Sequence, residues 1–441
     1  MRLKVFVGLI MLPGAMTPQE NLALSLRDAV RMALSPRGNL AISESAQSLR
    51  AAEAQWREAR SARLPEVEAS FTGQNQVLNL AAMGFDEVHV PVKDFSFPRS
   101  IGPLTTINAR VRVKQDLVNV ATRRRSQAFR AGLETAKAGT DETRDAVAAE
   151  VAKLYFTALR AAGAIDLAQA IRSAAESLLS EVVNRMAAGE AMGIDVSHAR
   201  ARVTSSKQRV MQAQMERSRA TFDLLATLNR DLDTPLKLTD DLAYSPQETP
   251  TAADALATAL KSRAEVLAQR QLLRELRLKD VSIESERLPS LNSFADLGTL
   301  GTSVPSSVPT YNVGISLHVP ILDGGRRNAQ REETQALICR EELRKAQLEK
   351  QVELEVRHAI LSLDMARELV TASDDELEAA AGELAHRKRR YERGIDGLAE
   401  LSDAQVAFAE AQDGRLEALY RWNEARIELL QAKGTILTLT Q

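Results

Sequence analysis

The chain has 441 residues, enough for two or three ordinary domains, yet only 4% are aromatic, and Phe, Trp and Tyr usually fill wide globular cores. Ala, Leu, Arg, Glu and Gln dominate, a long-helix or coiled-coil composition. The formal net charge of −2 gives no bulk electrostatic reason to expect nucleic acid; the lone Cys339 excludes an intramolecular disulfide framework and lies too far from the N-terminus to accept a lipid there.

Met1 to Ala15 carries Arg2 and Lys4 and then an apolar run from Val5 to Leu12. That pattern fits a secretory signal with a weak cleavage region near Gly14-Ala15, or else a buried N-terminal segment. No later stretch approaches the ~20 apolar residues of a membrane-spanning helix, so any membrane crossing has to be made by strands. From Leu26 to Ala62 the spacing predicts one helix, with Asp28 suited to the dipole of its first turn, ended by Leu64-Pro65. Glu66 to Gln74 then alternates, with Val67, Ala69 and Phe71 opposite Glu66, Glu68, Ser70 and Thr72. A loop with Pro91, Pro98 and Pro103 leads to a second alternating stretch, where Ile107, Ala109, Val111 and Val113 oppose Asn108, Arg110, Arg112 and Lys114.

Proline is then absent from Leu104 to Thr234, and again after Pro320, which predicts two uninterrupted helical territories. In the first, a seven-residue series runs Val147, Leu154, Ala161, Ala168, Ala175, Val182, interleaved with Val151, Ala158, Ile165, Arg172, Leu179 and Met186. This is a coiled-coil seam of small residues. Gly189 interrupts it. Asp231 to Thr251, with Pro235, Pro246 and Pro250, reads as a linker and the place for a small side domain. In the second territory a helical path from Arg326 to about Gly382 would run roughly 85 Å at about 1.5 Å per residue.

The chain is written twice. A strand-like Arg63-Leu64-Pro65 returns as Arg287-Leu288-Pro289; Ile107 to Val113 aligns without gaps, 204 residues on, with Tyr311 to Leu317; the Gly189 break recurs at Gly394. In the second copy Val313, Ile315, Leu317 and Val319 oppose Asn312, Gly314, Ser316 and His318, and a less regular partner strand lies around Leu291 to Gly298. The resulting division is a signal peptide over 1–15, a first repeat (helix, two strands, long helical hairpin) over 16–230, a linker over 231–251, a second repeat over 252–434 and a tail over 435–441.

Four strands of roughly 8 to 10 residues have the length of tilted bilayer-spanning strands. Their charged face suits a water-filled lumen and their aliphatic face lipid, although alternation alone is equally compatible with a solvated sheet packed on helices. Four strands cannot close a membrane barrel, which needs about 8. A symmetric trimer would supply twelve and remove the unpaired edges that lipid forbids.

These residues together resemble the TolC family of outer-membrane efflux proteins over essentially the whole chain after the signal. The most specific pieces are Val319-Pro320-Ile321-Leu322-Asp323-Gly324-Gly325-Arg326, similar to the family's strand-to-helix signature, and Arg390-Tyr391-Glu392-Arg393-Gly394 followed by Leu401, Asp403 and Ala404, similar to its helical hairpin turn. The resemblance implies a mainly α fold with a small transmembrane β contribution: a homotrimer in the outer membrane of a Gram-negative bacterium, four strands per protomer in a twelve-stranded barrel continued by a periplasmic α-helical barrel. It implies an exit duct for tripartite efflux or type I secretion, partnered by a periplasmic adaptor, an inner-membrane transporter and outer-membrane lipid. The first-half junction, Asp116 to Ala121, lacks the Pro and the Gly-Gly and is expected to be shaped differently.

By resemblance, the periplasmic gate falls on Glu400 and Asp403, with Tyr391 holding the closed tip by hydrogen bonding. Asp396 stands where the family can carry a basic partner, which implies either a weaker lock or a different partner, such as an Arg of the Arg387-Lys388-Arg389-Arg390 run on a neighbouring hairpin. Six carboxylates ringing an axis would favour cations; a solvated helix face is the bland alternative. The counterparts 205 residues earlier are Met186, Gly189, Asp195 and His198, so the two hairpins are chemically unlike and the second alone is expected to move. The turns at Gly189 and Gly394 are the adaptor-contact candidates, and Pro65, Pro289, Pro320, Gly324 and Gly325 mark strand–helix junctions. The His residues 89, 198, 318, 358 and 386 show no metal-ligand spacing, and Gly324-Gly325 lacks the Lys-Ser/Thr of a phosphate loop. No catalytic constellation, metal, cofactor or nucleic-acid partner is expected. The competing class is a soluble coiled-coil scaffold.

Overall fold

The computed structural model describes residues 22–85, 92, 95–246 and 249–440; the signal expected over 1–15, together with His89 and Pro91, lies outside them. The chain forms two compact units. One comprises Ser48–Ala138 and Ala268–Ala346; the other takes the chain up to Gln47, Gly139–Leu267 and the chain from Gln347 onward.

The first unit holds a sheet of β2 (Glu66–Asn79), β3 (Ser100–Val118), β5 (Ser290–Gly301) and β6 (Val308–His318), in the order β2-β3-β5-β6 and antiparallel throughout. The strands run to 14, 19, 12 and 11 residues, longer than expected. Arg63-Leu64-Pro65 is not strand but the turn that delivers the chain into β2. The extra length comes from polar and Gly-containing segments, Gln74 to Asn79 and Ser100 to Thr106, whose backbones pair although their side chains do not alternate.

Register sorts the side chains by parity. Val67 stands opposite Val113, Ala69 opposite Val111, Val111 opposite Leu297, Leu297 opposite Tyr311 and Ala295 opposite Val313, so the odd-numbered residues share one face. That face is open: Tyr311 is 78% and Ile315 68% exposed. The even face aligns Glu68, Arg112, Asp296 and Asn312 across all four strands. There the Asp296 side chain is only 8% exposed, because Arg110 reaches it at 2.9 Å and Arg112 at 3.2 Å, and Arg110 also donates to the Thr310 hydroxyl. One carboxylate thus binds β3 to β5, and the guanidinium that holds it ties in β6.

The two strand-to-helix junctions differ. β3 passes into α3 (Val120–Ala187) through Asn119 alone, whose side chain accepts from the Thr122 N–H and donates to Asp116. β6 reaches α7 (Arg326–Glu392) through seven residues that include Gly324 (φ +64) and Gly325 (φ +86), with Asp323 capping the helix through the Arg327 N–H. α7 passes straight through Gly382, where the sequence suggested its end.

The second unit carries the rest of the duplication. α4 (Gly193–Thr227) and α8 (Leu398–Ala432) are both 35 residues long, offset by 205 at each end. The heptad seam of α3 is largely buried, including Val147, Val151, Ala161, Ala168 and Val182; Met186 is exposed. The helix expected from Leu26 to Ala62 is two, α1 (Leu26–Ala33) and α2 (Leu40–Ser61), broken around Pro36, which cannot donate to a helix interior. Its repeat is α5 (Ala252–Ser262) and α6 (Ala264–Ser285). Ser25 and Thr251 cap α1 and α5 alike. The linker is ordered: β4 (Leu236–Leu238) pairs in parallel with β1 (Leu22–Leu24). Asp240 accepts from the Leu26 N–H at 2.7 Å, and the buried Tyr155 hydroxyl lies 2.9 Å from both Asp240 and the Leu24 carbonyl. Tyr244 meets the fully buried Trp422 edge-on at 4.9 Å.

At the α5–α6 break the Arg263 side chain, 10% exposed, pairs with Glu265 and Glu355. Burial pushes the nearby Asp145 carboxyl up to about 6; Asp141 adds to this, and Arg144 and Arg263 oppose it.

Two predictions follow from these polar clusters. Asp296→Ala removes the acceptor shared by Arg110 and Arg112 and should lower the local opening free energy by about 1.5 kcal/mol, read as roughly tenfold faster hydrogen exchange in β3 and β5; unchanged exchange would show that Asp296 contributes nothing. For Asp145, a folded pKa above the free value of 3.8 means that stability is fully present at low pH and declines as pH rises through about 6. Asp145→Asn should therefore stabilise the fold by about 1 kcal/mol at pH 7.5, after allowance for solvent screening, and the gain should vanish in thermal unfolding at pH 4.

Candidate gate and hairpin-tip site

Both long hairpins turn in the same way. At Gly394 (φ +71) the N–H bonds Tyr391 O at 3.0 Å and the Ile395 N–H bonds Arg390 O at 3.0 Å; at Gly189 (φ +78) the pairs are Met186 O at 3.0 Å and, from Glu190, Arg185 O at 2.8 Å. This double bond satisfies the last carbonyls of α7 and α3 and needs a left-handed residue, which glycine adopts without strain. Asn229 and Gly434 end α4 and α8 in the same manner.

Tyr391 is buried in a cluster with Leu178, Val182, Val196 and Leu401, drawing α3, α4, α7 and α8 together at the tips. The Arg185 guanidinium lies 4.3 Å from its ring centroid, a cation–π contact. Burial raises the phenol above its ordinary value; Arg185 opposes this, and Glu181 and Asp195 add to it. Asp396 finds its cations within its own hairpin, Arg390 at 2.8 Å and Arg387 at 3.5 Å. Burial would raise its carboxyl, but the Arg390 and Arg387 bonds outweigh it and hold the group below the usual carboxylate range. The basic run is therefore in part a staple across the turn.

Glu400 and Asp403 are exposed, one turn apart on the same face of α8. Asp403 acts electrostatically on Arg202, which burial pulls below its ordinary pKa and Asp403 partly restores. Asp195 caps α4, accepting from the Met192 N–H at 2.9 Å. Pro65 and Pro289 immediately precede β2 and β5, and Pro320, Gly324 and Gly325 lie between β6 and α7. Among the described residues no group of three or more His, Cys, Asp or Glu could hold a metal ion.

The family model described as outer membrane efflux protein matches residues 34–230 and 255–435. The chain belongs to the outer membrane efflux protein family. It is 25% identical over 320 residues to the pyoverdine export outer membrane protein OpmQ of Pseudomonas aeruginosa, covering 70% of this chain and 66% of that relative, just under two thirds of its length. It is 25% identical to the outer membrane protein OprJ of the same species over 93% of this chain and 87% of that one. Its fold is that of the Campylobacter jejuni CmeC outer membrane channel, with a TM-score of 0.79 at 15% identity over 93% of this chain and 85% of that one.

In this efflux-family chain the sequence reading missed the polar seam that joins the two hairpins. Arg160 pairs with Glu417, Lys153 with Glu428 and Arg209 with Asp413, and Arg202 donates to Ser402 O at 2.7 Å. These partners lie at least 200 residues apart in sequence, where no helical spacing relates them. For Arg185 a signal existed: it stands 205 residues before Arg390, its counterpart in the repeat.

Glycine at two positions should respond oppositely to one substitution. Gly394→Ala places a Cβ in left-handed backbone and should cost about 1 kcal/mol, seen as faster hydrogen exchange at the α7–α8 turn. Gly382→Ala, mid-helix with open space around it, should stabilise by about 0.5–1 kcal/mol.

Proposed function

We propose that the chain is one protomer of a homotrimeric exit duct in the outer membrane, passively conducting substrates that an inner-membrane pump delivers through a periplasmic adaptor. The observation that carries this reading is the parity of the sheet. One face is mostly apolar and largely open, the other is charged, and among the described residues the edges β2 and β6 lack strand partners. Three copies close twelve strands, with the odd face toward lipid and the even face toward water. Membership of an outer-membrane efflux family supports the same placement.

The helices favour assembly as well. Met211, Met215 and Phe222 form an exposed apolar stripe on α4, and Leu354, Leu361, Met365 and Leu369 form another on α7. A neighbouring copy would cover both. In this reading Glu400 and Asp403 line the periplasmic entrance, Tyr391 under Arg185 is the clasp between the hairpins, Asp396 sets the shape of the moving tip, and the Gly189 and Gly394 turns present the adaptor-contact surface. A soluble scaffold is disfavoured by an uncovered face that includes Val67, Phe71, Val313, Ile315 and Leu317.

Electron-microscope images of detergent-extracted outer-membrane fractions test the duct: hollow threefold particles are expected, and solid soluble filaments or monomers would overturn it. In planar bilayers Glu400→Ala/Asp403→Ala should lower conductance and shift the reversal potential away from cations. Unchanged selectivity would remove these carboxylates from the entrance.

A further inference from the structure

A cavity of about 430 Å³ opens between the two hairpins, bounded by α3, α4, α7 and α8. This volume is within the range of sites that take drug-sized molecules. Its apolar walls include Ile171, Leu384, Val406 and Phe408, and two guanidiniums, Arg202 and Arg209, reach it. No carboxylate lines it. By contrast, a cavity beside Arg130 and Arg274 includes Glu134, and another beside Arg125 and Lys114 includes Glu58, Glu66 and Asp116.

The two cations are weakly compensated. Arg202 donates to a main-chain carbonyl, Ser402 O, and Asp403 acts on it without a close ion pair. Arg209 meets Asp413 at 3.4 Å, beyond the usual length of a charge-assisted bond. Each guanidinium has five N–H donors in a planar fork that suits a carboxylate, sulfonate or phosphate. A second cavity of about 190 Å³, lined by His198 and Ser402, shares Arg202, so its guanidinium sits where the two spaces meet.

We infer that this cavity binds an amphipathic organic anion, with the apolar body against Phe408 and Leu384 and the anionic head on Arg202 and Arg209. Such a ligand touches both hairpins and ties one to the other. The inference stands on the cavity alone and does not depend on the duct reading.

The test is a fluorescence titration of the full chain in lipid nanodiscs with 1-anilinonaphthalene-8-sulfonate, against empty nanodiscs. Saturable binding of one dye per chain is expected. It should weaken about tenfold or more in Arg202→Gln and survive in Arg202→Lys. Ala174→Phe, at an exposed lining position on α3, should abolish it by filling the space and is a check that does not remove the Ser402 bond. The uncharged N-phenyl-1-naphthylamine should bind at least tenfold more weakly than the sulfonate. Non-saturable signal, equal binding of the two dyes, or binding unaffected by both Arg202→Gln and Ala174→Phe would each overturn the assignment, as would exclusion of the dye because a second copy of the chain covers the cavity.

Discussion

Much of this chain follows from the way a bilayer treats an unpaired backbone. Each unsatisfied N–H or C=O in hydrocarbon costs several kcal/mol, so a four-stranded sheet with two bare edges and an open apolar face is not a finished object. The chain meets this constraint with parity. Through the regular part of the ladders, between the shifts at Gln76/Leu78 and Asp116/Val118, odd positions carry Val, Ala, Phe, Leu and Ile, and the charged residues Glu, Arg and Asp stand at even positions. A one-residue slip would put every charge on the lipid side. The Arg110–Asp296–Arg112 contact is placed to oppose that slip, because a one-residue shift would carry Asp296 to the face opposite the two arginines.

Duplication halves the problem of encoding such a structure but does not produce two equal halves. The four long-helix ends near Gly189, Asn229, Gly394 and Gly434 use one hydrogen-bond pattern, 205 residues apart in pairs. Backbone geometry is therefore retained where it must reverse the chain. Side-chain chemistry is free to diverge around it. Asp195 became a helix cap and Glu400 an exposed carboxylate; one strand-to-helix junction uses a single Asn and the other a glycine pair. These differences give the chain two kinds of hairpin, one of which is stapled internally by Asp396.

Beside the apolar cluster at Tyr391, the hairpins meet through small residues and arginines. Gly163 lets Leu416 approach so closely that an added Cβ would lie 3.0 Å from it. Arg160, Arg185, Arg202 and Arg209 make the cross-links. Partly exposed pairs of this kind contribute little stability each, but their geometry is specific. The same economy of bulk leaves the cavity at Arg202.

The sequence by itself determined the fold class, the duplication, the parity of the strands, the long helices and the turns at Gly189 and Gly394. These rest on local rules: period 2 or 7 in apolar residues, the absence of proline, and glycine where φ is positive. It misjudged what local periodicity does not carry. One helix is expected where Pro36 makes two, and strands are expected to stop where polar residues without alternation continue the pairing. Only the tertiary structure decided the partners of Arg185, Arg202 and Asp296, and the cation of Asp396 within its own hairpin. The pairs and the cavity between the hairpins depend on side chains brought together from 200 residues or more apart, and that proximity is a property of packing, which no spacing along the chain records.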